Sequence, residues 1–552
     1  MSQEPEAQPD QTGIVAEATS SDRGKPDDSR SWLLTRWLFL RLLGLIYLMA
    51  FASYAVQVLA LNGSHGILPI ADVLNGVKEQ MGAERFLIFP TVYWLNSSDQ
   101  MLQFVTWGGA ALSILAILGV ATGPVLALCL VFWLSVVSGG GEFTEFQSDG
   151  MLIEATLLAL FVVNWSSLIE PPWPVANRWR TQKPPSRIGI WLLRFMIFRL
   201  MFAAGVVKLT SHDPTWADLT AMQYHFWTQP LPTPLAWYCH LLPAIVLKGM
   251  VLAMFVSEIV APWLMFGNRW MRYLSALLMA GLQVMIILTG NYTFLNYLMI
   301  VLCIPVLDDG ATYRLLPKSL SGNILSLVDL KPVAKKTANA LVTVCATVLF
   351  ALAGLQLVDT IFTMPSIFRL PLFLVAPLHI ADRYGLFAVM TTTRPEIEFE
   401  GSDDGKSWQP YVMRYKVDDV HQSPPWVAPH MPRLPWRLWF AAMVPPPVVT
   451  TDPAAAQAAR MLGGEESEWV LSLVQRMLEG EPVVMGSFEK NPFQDHPARY
   501  IRAWVYQYHF TSAEEHSQTG DWWTRDEKRE YLPPLSLENG QLKPVFEASK
   551  QP

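Results

Sequence analysis

Charge is nearly absent from the middle of this chain. Charged residues make up 16% of its 552 positions, against roughly 25% in soluble proteins. The shortfall lies between Trp37 and Phe362, because residues 1–30 and 382–552 are ordinary polar sequence. A helix crosses the hydrocarbon core with roughly 17–25 mostly apolar residues. On that criterion about nine spans are expected, near 37–60, 101–119, 123–138, 151–169, 190–209, 244–266, 272–289, 292–307 and 338–362. The third and eighth are short. Leu370–Ile380 is apolar but too brief to span, which suits the membrane interface.

Basic residues orient these spans. With the N-terminus in the cytoplasm, the cytoplasmic segments carry Arg23, Lys25, Arg30 and Arg36, then Arg178, Arg180, Lys183 and Arg187. Arg269 and Arg272 follow, then Arg314, Lys318, Lys331, Lys335 and Lys336. The opposite side has only Lys78, Arg85 and the boundary residue Lys248, and its loops 139–150 and 210–242 have no Lys or Arg. This is the asymmetry of the positive-inside rule. An odd number of spans then delivers residues 363–552 to the outer side, a periplasm or a secretory lumen.

The expected fold is a polytopic α-helical membrane bundle (31–365) followed by a C-terminal α+β, β-sandwich-like soluble domain (366–540). Disordered tails are expected at 1–30, which is acidic, and at 541–552. Residues 1–30 lack the basic start and early apolar core of a signal peptide. In the C-terminal part, Glu396–Glu400 alternates as a half-buried strand does. Ser402-Asp-Asp-Gly405 is a tight turn, and Tyr411–Val417 returns as the second strand of a hairpin. Trp436–Met443 and Trp469–Leu478 have helical spacing, Tyr500–Phe510 is a strand, and the Pro pairs, Pro533-Pro534 among them, mark turns and connectors.

Charges inside the apolar region are costly unless paired. Asp149, Glu154, Arg199 and Lys208 either build a polar chamber open to the outer side or form ion pairs that lock helices together. The second arrangement is the commoner. His212 joins them as a candidate base. The loop 210–242 is rich in His and aromatics: Asp213, Trp216, Tyr224, His225, Trp227, Trp237 and His240 are candidate contacts to a partner or to the bilayer surface. The loop has no HxxxH or HxH spacing, so no metal is expected, and no cofactor motif is present. The modest net charge of −7 offers no footprint for nucleic acid. The four cysteines include no CxxC, so dithiol redox chemistry is not expected.

Several strings resemble the lipase maturation factor family. They are Lys208–Pro243, Gln147–Glu154, Tyr384–Glu400, Ser423–Pro429, Arg437–Ala442, Asn491-Pro-Phe493, Tyr500–Arg502, Trp522-Trp523 and Glu530–Pro534. Together they extend from about residue 35 to 537. The resemblance implies an endoplasmic reticulum membrane protein required for dimeric secreted lipases to become active, with its lumenal C-terminal part engaging the client. The acidic start and the lack of an ER-retrieval ending suit a bacterial relative of the inner membrane instead.

The leading expectation is thus a membrane folding or maturation factor for exported proteins, lipases among them. Trp426, Trp436 and Trp439 would serve as exposed aromatics that hold an immature client. The rival is a membrane-embedded enzyme, loosely like the vitamin K-dependent carboxylases by fold-level analogy, with Lys208 or His212 as base.

Overall fold

A computed structural model describes residues 32–170, 183–316, 340–449 and 464–545. The acidic segment 1–30 and the basic residues Arg178, Arg180, Lys318, Lys331, Lys335 and Lys336 lie outside them. Among the described residues, seven helices are long and apolar enough to cross a membrane. These are α1 (Leu33–Ala55), α2 (Asp99–Leu118), α3 (Thr122–Gly139), α5 (Arg187–Thr210), α6 (Ala244–Leu264), α7 (Arg269–Thr289) and α9 (Ala340–Ile361). The spans expected at 151–169 and 292–307 are shorter helices, α4 (Gln147–Ala159) and α8 (Leu295–Cys303).

Local chemistry accounts for the shortening. Beyond α4, the side chain of Asn164 accepts from the N–H of Ser166 and competes with the helical ladder. Beyond α8, Pro305 lacks an N–H, and the chain tightens into a 3₁₀ turn over Ile304–Val306. Both helices are central. All of α4 except Gln147 and Leu157 is buried. Close approach of α1 and α2 depends on Gly109, where a Cβ would lie 2.4 Å from the Phe51 ring.

The two ends of the bundle differ. At one end the Asp309 carboxylate accepts from the N–H groups of Leu33 and Thr35, each at 2.9 Å, and so caps α1. Arg36 donates to the Lys183 carbonyl (2.8 Å), and Arg272 pairs with Asp308 (3.4 Å) at the same end. At the other end sits the C-terminal unit. Gln57 donates to the Met431 carbonyl (2.8 Å) and accepts from the Arg433 N–H (3.0 Å). Asn291 donates to the Pro425 carbonyl and accepts from the Val427 N–H, both at 2.8 Å.

Helix α10 (Ser366–Val375) follows α9 and buries none of its residues, leaving Phe373 and Leu374 exposed. The sheet has strand order β2-β1-β5-β6-β7 and is antiparallel throughout, with β1 Pro395–Ser402, β2 Gln409–Pro410, β5 Tyr500–Phe510, β6 Trp523–Glu538 and β7 Gln541–Pro544. A two-stranded ribbon of β3 (Val412–Met413) and β4 (Phe488–Lys490) stands beside it. The expected hairpin therefore exists but is short. Only Gln409–Pro410 pairs with β1, while Val412–Met413 turns away to β4. One sheet with a ribbon replaces the expected sandwich of sheets.

Helices α11 (Arg433–Ala441) and α12 (Trp469–Glu479) fall where their spacing predicts. They bury Leu438, Leu473, Val474 and Met477 in the core that holds Ile397, Phe399, Ile501 and Ala503 of β1 and β5. Two expectations fail here. Pro533-Pro534 lies inside a strand, opposite the register shift between Ile501 and Ala503, where the ladder is already irregular. The C-terminal tail does not begin at 541, because Asn539-Gly540, both at positive φ, turn the chain so that Gln541 pairs with Glu538.

Candidate functional site

The charges of the apolar region meet partners one pair at a time. Asp149, at the start of α4, is fully buried and takes two 2.8 Å bonds from the guanidinium of Arg433 on α11. Bidentate geometry makes this the strongest class of side-chain contact. Arg433 also donates to the Phe143 carbonyl (2.7 Å), and the Tyr54 ring lies 5.0 Å from its carbon. One turn deeper, Glu154 pairs with Arg199 of α5 and accepts from the Tyr384 hydroxyl at 2.8 Å. Arg199 reaches the Asp382 carbonyl as well, at 2.7 Å. Lys208, a helical half-turn short of the α5 terminus, pairs with Glu258 of α6 at 2.8 Å.

Glu258 stands on a widened turn. Pro262 has no N–H for the carbonyl four residues back, and Val256–Val260 relaxes into a π-turn whose following N–H, from Ala261, bonds to Val256. Such single-turn bulges often carry functional side chains. The four charges thus form three ion pairs, each joining different elements, and each is closed by its own partner. His212 is apart from them, exposed and at φ +59°.

The loop 211–243 is a joint between bundle and sheet. Asp213 accepts from the N–H groups of Thr215 (2.8 Å) and Met390 (2.5 Å). Trp216 donates to the Phe387 carbonyl, and its ring lies 5.6 Å from the Lys208 ammonium. Tyr224 packs on Trp227, which packs in turn on His509. Trp237 donates to the Thr511 carbonyl at 3.0 Å, and His240 faces Phe510. Arg394, fully buried, ties the loop down. It donates to the carbonyls of Trp227 (2.8 Å) and Pro230 (2.9 Å) and pairs with Glu396, which also holds Lys416. His225 is buried between Tyr292 and Phe387, and burial, aided by the charge of Lys208, pulls its pKa down to about 4.

Of the tryptophans expected to be exposed, Trp426 is 55% exposed, whereas Trp436 and Trp439 are buried. Trp439 donates to the Thr228 carbonyl, and Trp436 stacks edge-on against Phe146 and Tyr292. Their spacing on a short amphipathic helix told that one face is apolar, not that the face is covered by the bundle. Sequence reasoning also missed Glu396 and three residues whose partners lie far off in the chain: Arg433 with Asp149, Tyr384 with Glu154, and Arg394 with the carbonyls of Trp227 and Pro230.

Two cavities meet behind this joint. The deeper, about 120 Å³, lies between α5, α6, α7 and α8 and includes Lys208, Glu258, His225 and Asn296 in its walls. The outer, about 400 Å³, is walled by Trp436, Trp439 and Phe440. Gly385, Leu386, Phe387 and Tyr292 line both. Among the described residues no three His, Cys, Asp or Glu side chains converge as metal ligands would.

An apolar bundle fixed to an α+β unit by the buried Asp149–Arg433 ion pair and by hydrogen bonds from Gln57 and Asn291 defines a polytopic membrane protein with an extramembranous part. The chain belongs to the lipase maturation factor family. Residues 34–314 match the lipase maturation factor transmembrane domain, and residues 380–533 match the lipase maturation factor C-terminal domain. Lipase maturation factor 2 of Gallus gallus is 32% identical, over 91% of this chain and 81% of its own length. The Homo sapiens protein of that name is 31% identical over 93% and 84%, and lipase maturation factor 1 of Mus musculus is 29% identical over 94% and 90%. No solved structure matches.

Proposed function

We infer that this protein is a membrane-anchored maturation factor for exported proteins, with secreted lipases as the client class its relatives' names suggest. The observation that carries this reading is the docking of the C-terminal unit on the end of the bundle opposite Arg36, Lys183 and Arg272. If the basic end faces the cytoplasm, the α+β unit stands in the compartment where exported chains fold. That compartment is a secretory lumen or a periplasm.

Nine crossings fit this orientation better than seven. Ile169 bridges to Val120 at the α2–α3 turn, so the chain from Gln147 to Glu170 covers the thickness that α3 covers. Leu307 accepts from the Trp32 indole at the start of α1, while Gly290 bridges to Pro232 at the other end. The segment 291–307 therefore runs the same distance. Non-helical backbone at that depth is tolerated where protein surrounds it. The boundary between bundle and outer unit falls near residue 365, and α10 lies along the interface with its apolar face in the lipid. The pairing of Asp149, Glu154, Arg199 and Lys208 supports a static scaffold over an enzyme, and Trp426 is the aromatic left open for a client.

A complementation assay tests the reading. Cells that lack their own maturation factor are given this chain with a dimeric secreted lipase, and active lipase is measured in the medium. Restored activity is expected, reduced by Trp426→Ala. Normal expression and membrane insertion without any restored lipase activity would argue against lipase clients. The same result for every exported client crosslinked in native membranes would remove the maturation reading itself.

A further inference from the structure

The joined cavities have the construction of a binding site. Ligand sites are concave, mostly apolar and carry a few convergent polar groups within roughly 300–1,000 Å³, a range that the outer cavity reaches at about 400 Å³ and the deeper one, at about 120 Å³, reaches only as its extension. The deeper cavity is lined by Met151, Met201, Met222, Met254, Met299 and Met390. Thioether side chains are flexible and adapt to chains of varied shape. The outer cavity lies among side chains of the C-terminal unit.

The polar groups on these walls are selective. The hydroxyl of Tyr292, the indole N–H of Trp436 and the hydroxyl of Thr391 are buried with no protein partner, as is the side-chain carbonyl of Asn296. A buried polar group without a partner carries a desolvation penalty, which ligand acceptors relieve at the two hydroxyls and the indole N–H, and a ligand hydroxyl relieves at the Asn296 carbonyl. Charge is balanced or negative. Lys208, the one cationic side chain among the described lining residues, is neutralised by Glu258, and Glu145 stands exposed at the outer cavity. His225 is uncharged at neutral pH.

We propose that the two cavities hold one uncharged lipid bearing ester carbonyls, of the acylglycerol class, with an acyl chain among the methionines and its esters against Tyr292 and Trp436. An anionic phospholipid finds no free cation here and meets the Glu145 carboxylate.

The test uses the full chain purified into phosphatidylcholine nanodiscs with either a photoactivatable diacylglycerol or a photoactivatable phosphatidylglycerol. After illumination, labelled peptides are identified by mass spectrometry. The diacylglycerol probe is expected to label peptides holding Leu386 or Met299, and unlabelled diacylglycerol should compete the label away. Tyr292→Phe together with Trp436→Phe should lower labelling several-fold without moving the thermal unfolding midpoint by more than a few degrees. Ala204→Trp, which fills the deeper cavity, should abolish it. If that variant fails to fold, competition on the unmodified chain decides. Label that does not saturate, label confined to lipid-facing helix surfaces, or equal labelling by the phosphatidylglycerol probe would overturn the proposal.

Discussion

Asp149 and Arg433 show what single residues contribute to this protein. Both are almost wholly buried, and each answers the other's charge. Removing one partner strands the other, at a cost of about 3–5 kcal/mol, whereas replacing both with apolar residues of similar volume is often nearly neutral. Arg433→Ala is therefore expected to lower the unfolding midpoint in detergent sharply, and Asp149→Leu with Arg433→Met to recover much of the loss. An equal loss in both variants would mean that packing, not charge, holds the joint. His225 offers a pH test. Its folded pKa of about 4 lies below the ordinary histidine value, so the unfolded chain takes up the proton first. The stability it contributes is present at neutral pH and is lost as pH falls from about 6.5 towards 4. Between pH 7.5 and 5.5 the unfolding midpoint of the unmodified protein should drop more than that of His225→Phe. The charges themselves were legible in the sequence because they interrupt apolar runs. Their partners were not, since Arg433 lies 284 positions from Asp149 and Tyr384 lies 230 from Glu154.

At the scale of elements, legibility followed periodicity. Strand β5 shows its alternation because one face meets the core, with Ile501, Ala503 and Val505 buried. Strand β6 hides itself, because Thr524–Glu530 is exposed on both faces and reads as a polar loop. The hairpin that ends the sheet did carry a signal in Asn539-Gly540, the pair that a two-residue turn with positive φ requires. Gly540→Ala should cost about 1 kcal/mol through αL strain and loosen β7, seen as faster amide exchange at Leu542. Unchanged protection there would mean that β7 is held by side chains alone. The loop 210–242 reads from its composition as a surface for partners; Trp216, Trp227 and Trp237 are buried in the joint, while Tyr238 is exposed. Arg394→Met should free the loop to limited proteolysis while leaving the helices intact.

At the scale of the whole molecule, apolar length told which segments belong to the bundle, and the described basic residues Arg36, Lys183 and Arg272 gather at one end of it. The count of spans was less legible: seven helices among the described residues are long and apolar enough to cross, while the segments of α4 and α8, apolar in sequence, fold as shorter buried helices. The proposed topology depends on one arrangement: basic residues gather at one end of the bundle, and the α+β unit is fixed to the other. The most direct measurement is a topology reporter fused after Pro552, alkaline phosphatase in a bacterial host or a glycosylation acceptor in a secretory one. Activity or glycosylation at that site is the predicted result. An inactive or unglycosylated reporter, with the same tag modified when it is placed before residue 30, would put the C-terminal unit in the cytoplasm and contradict the account.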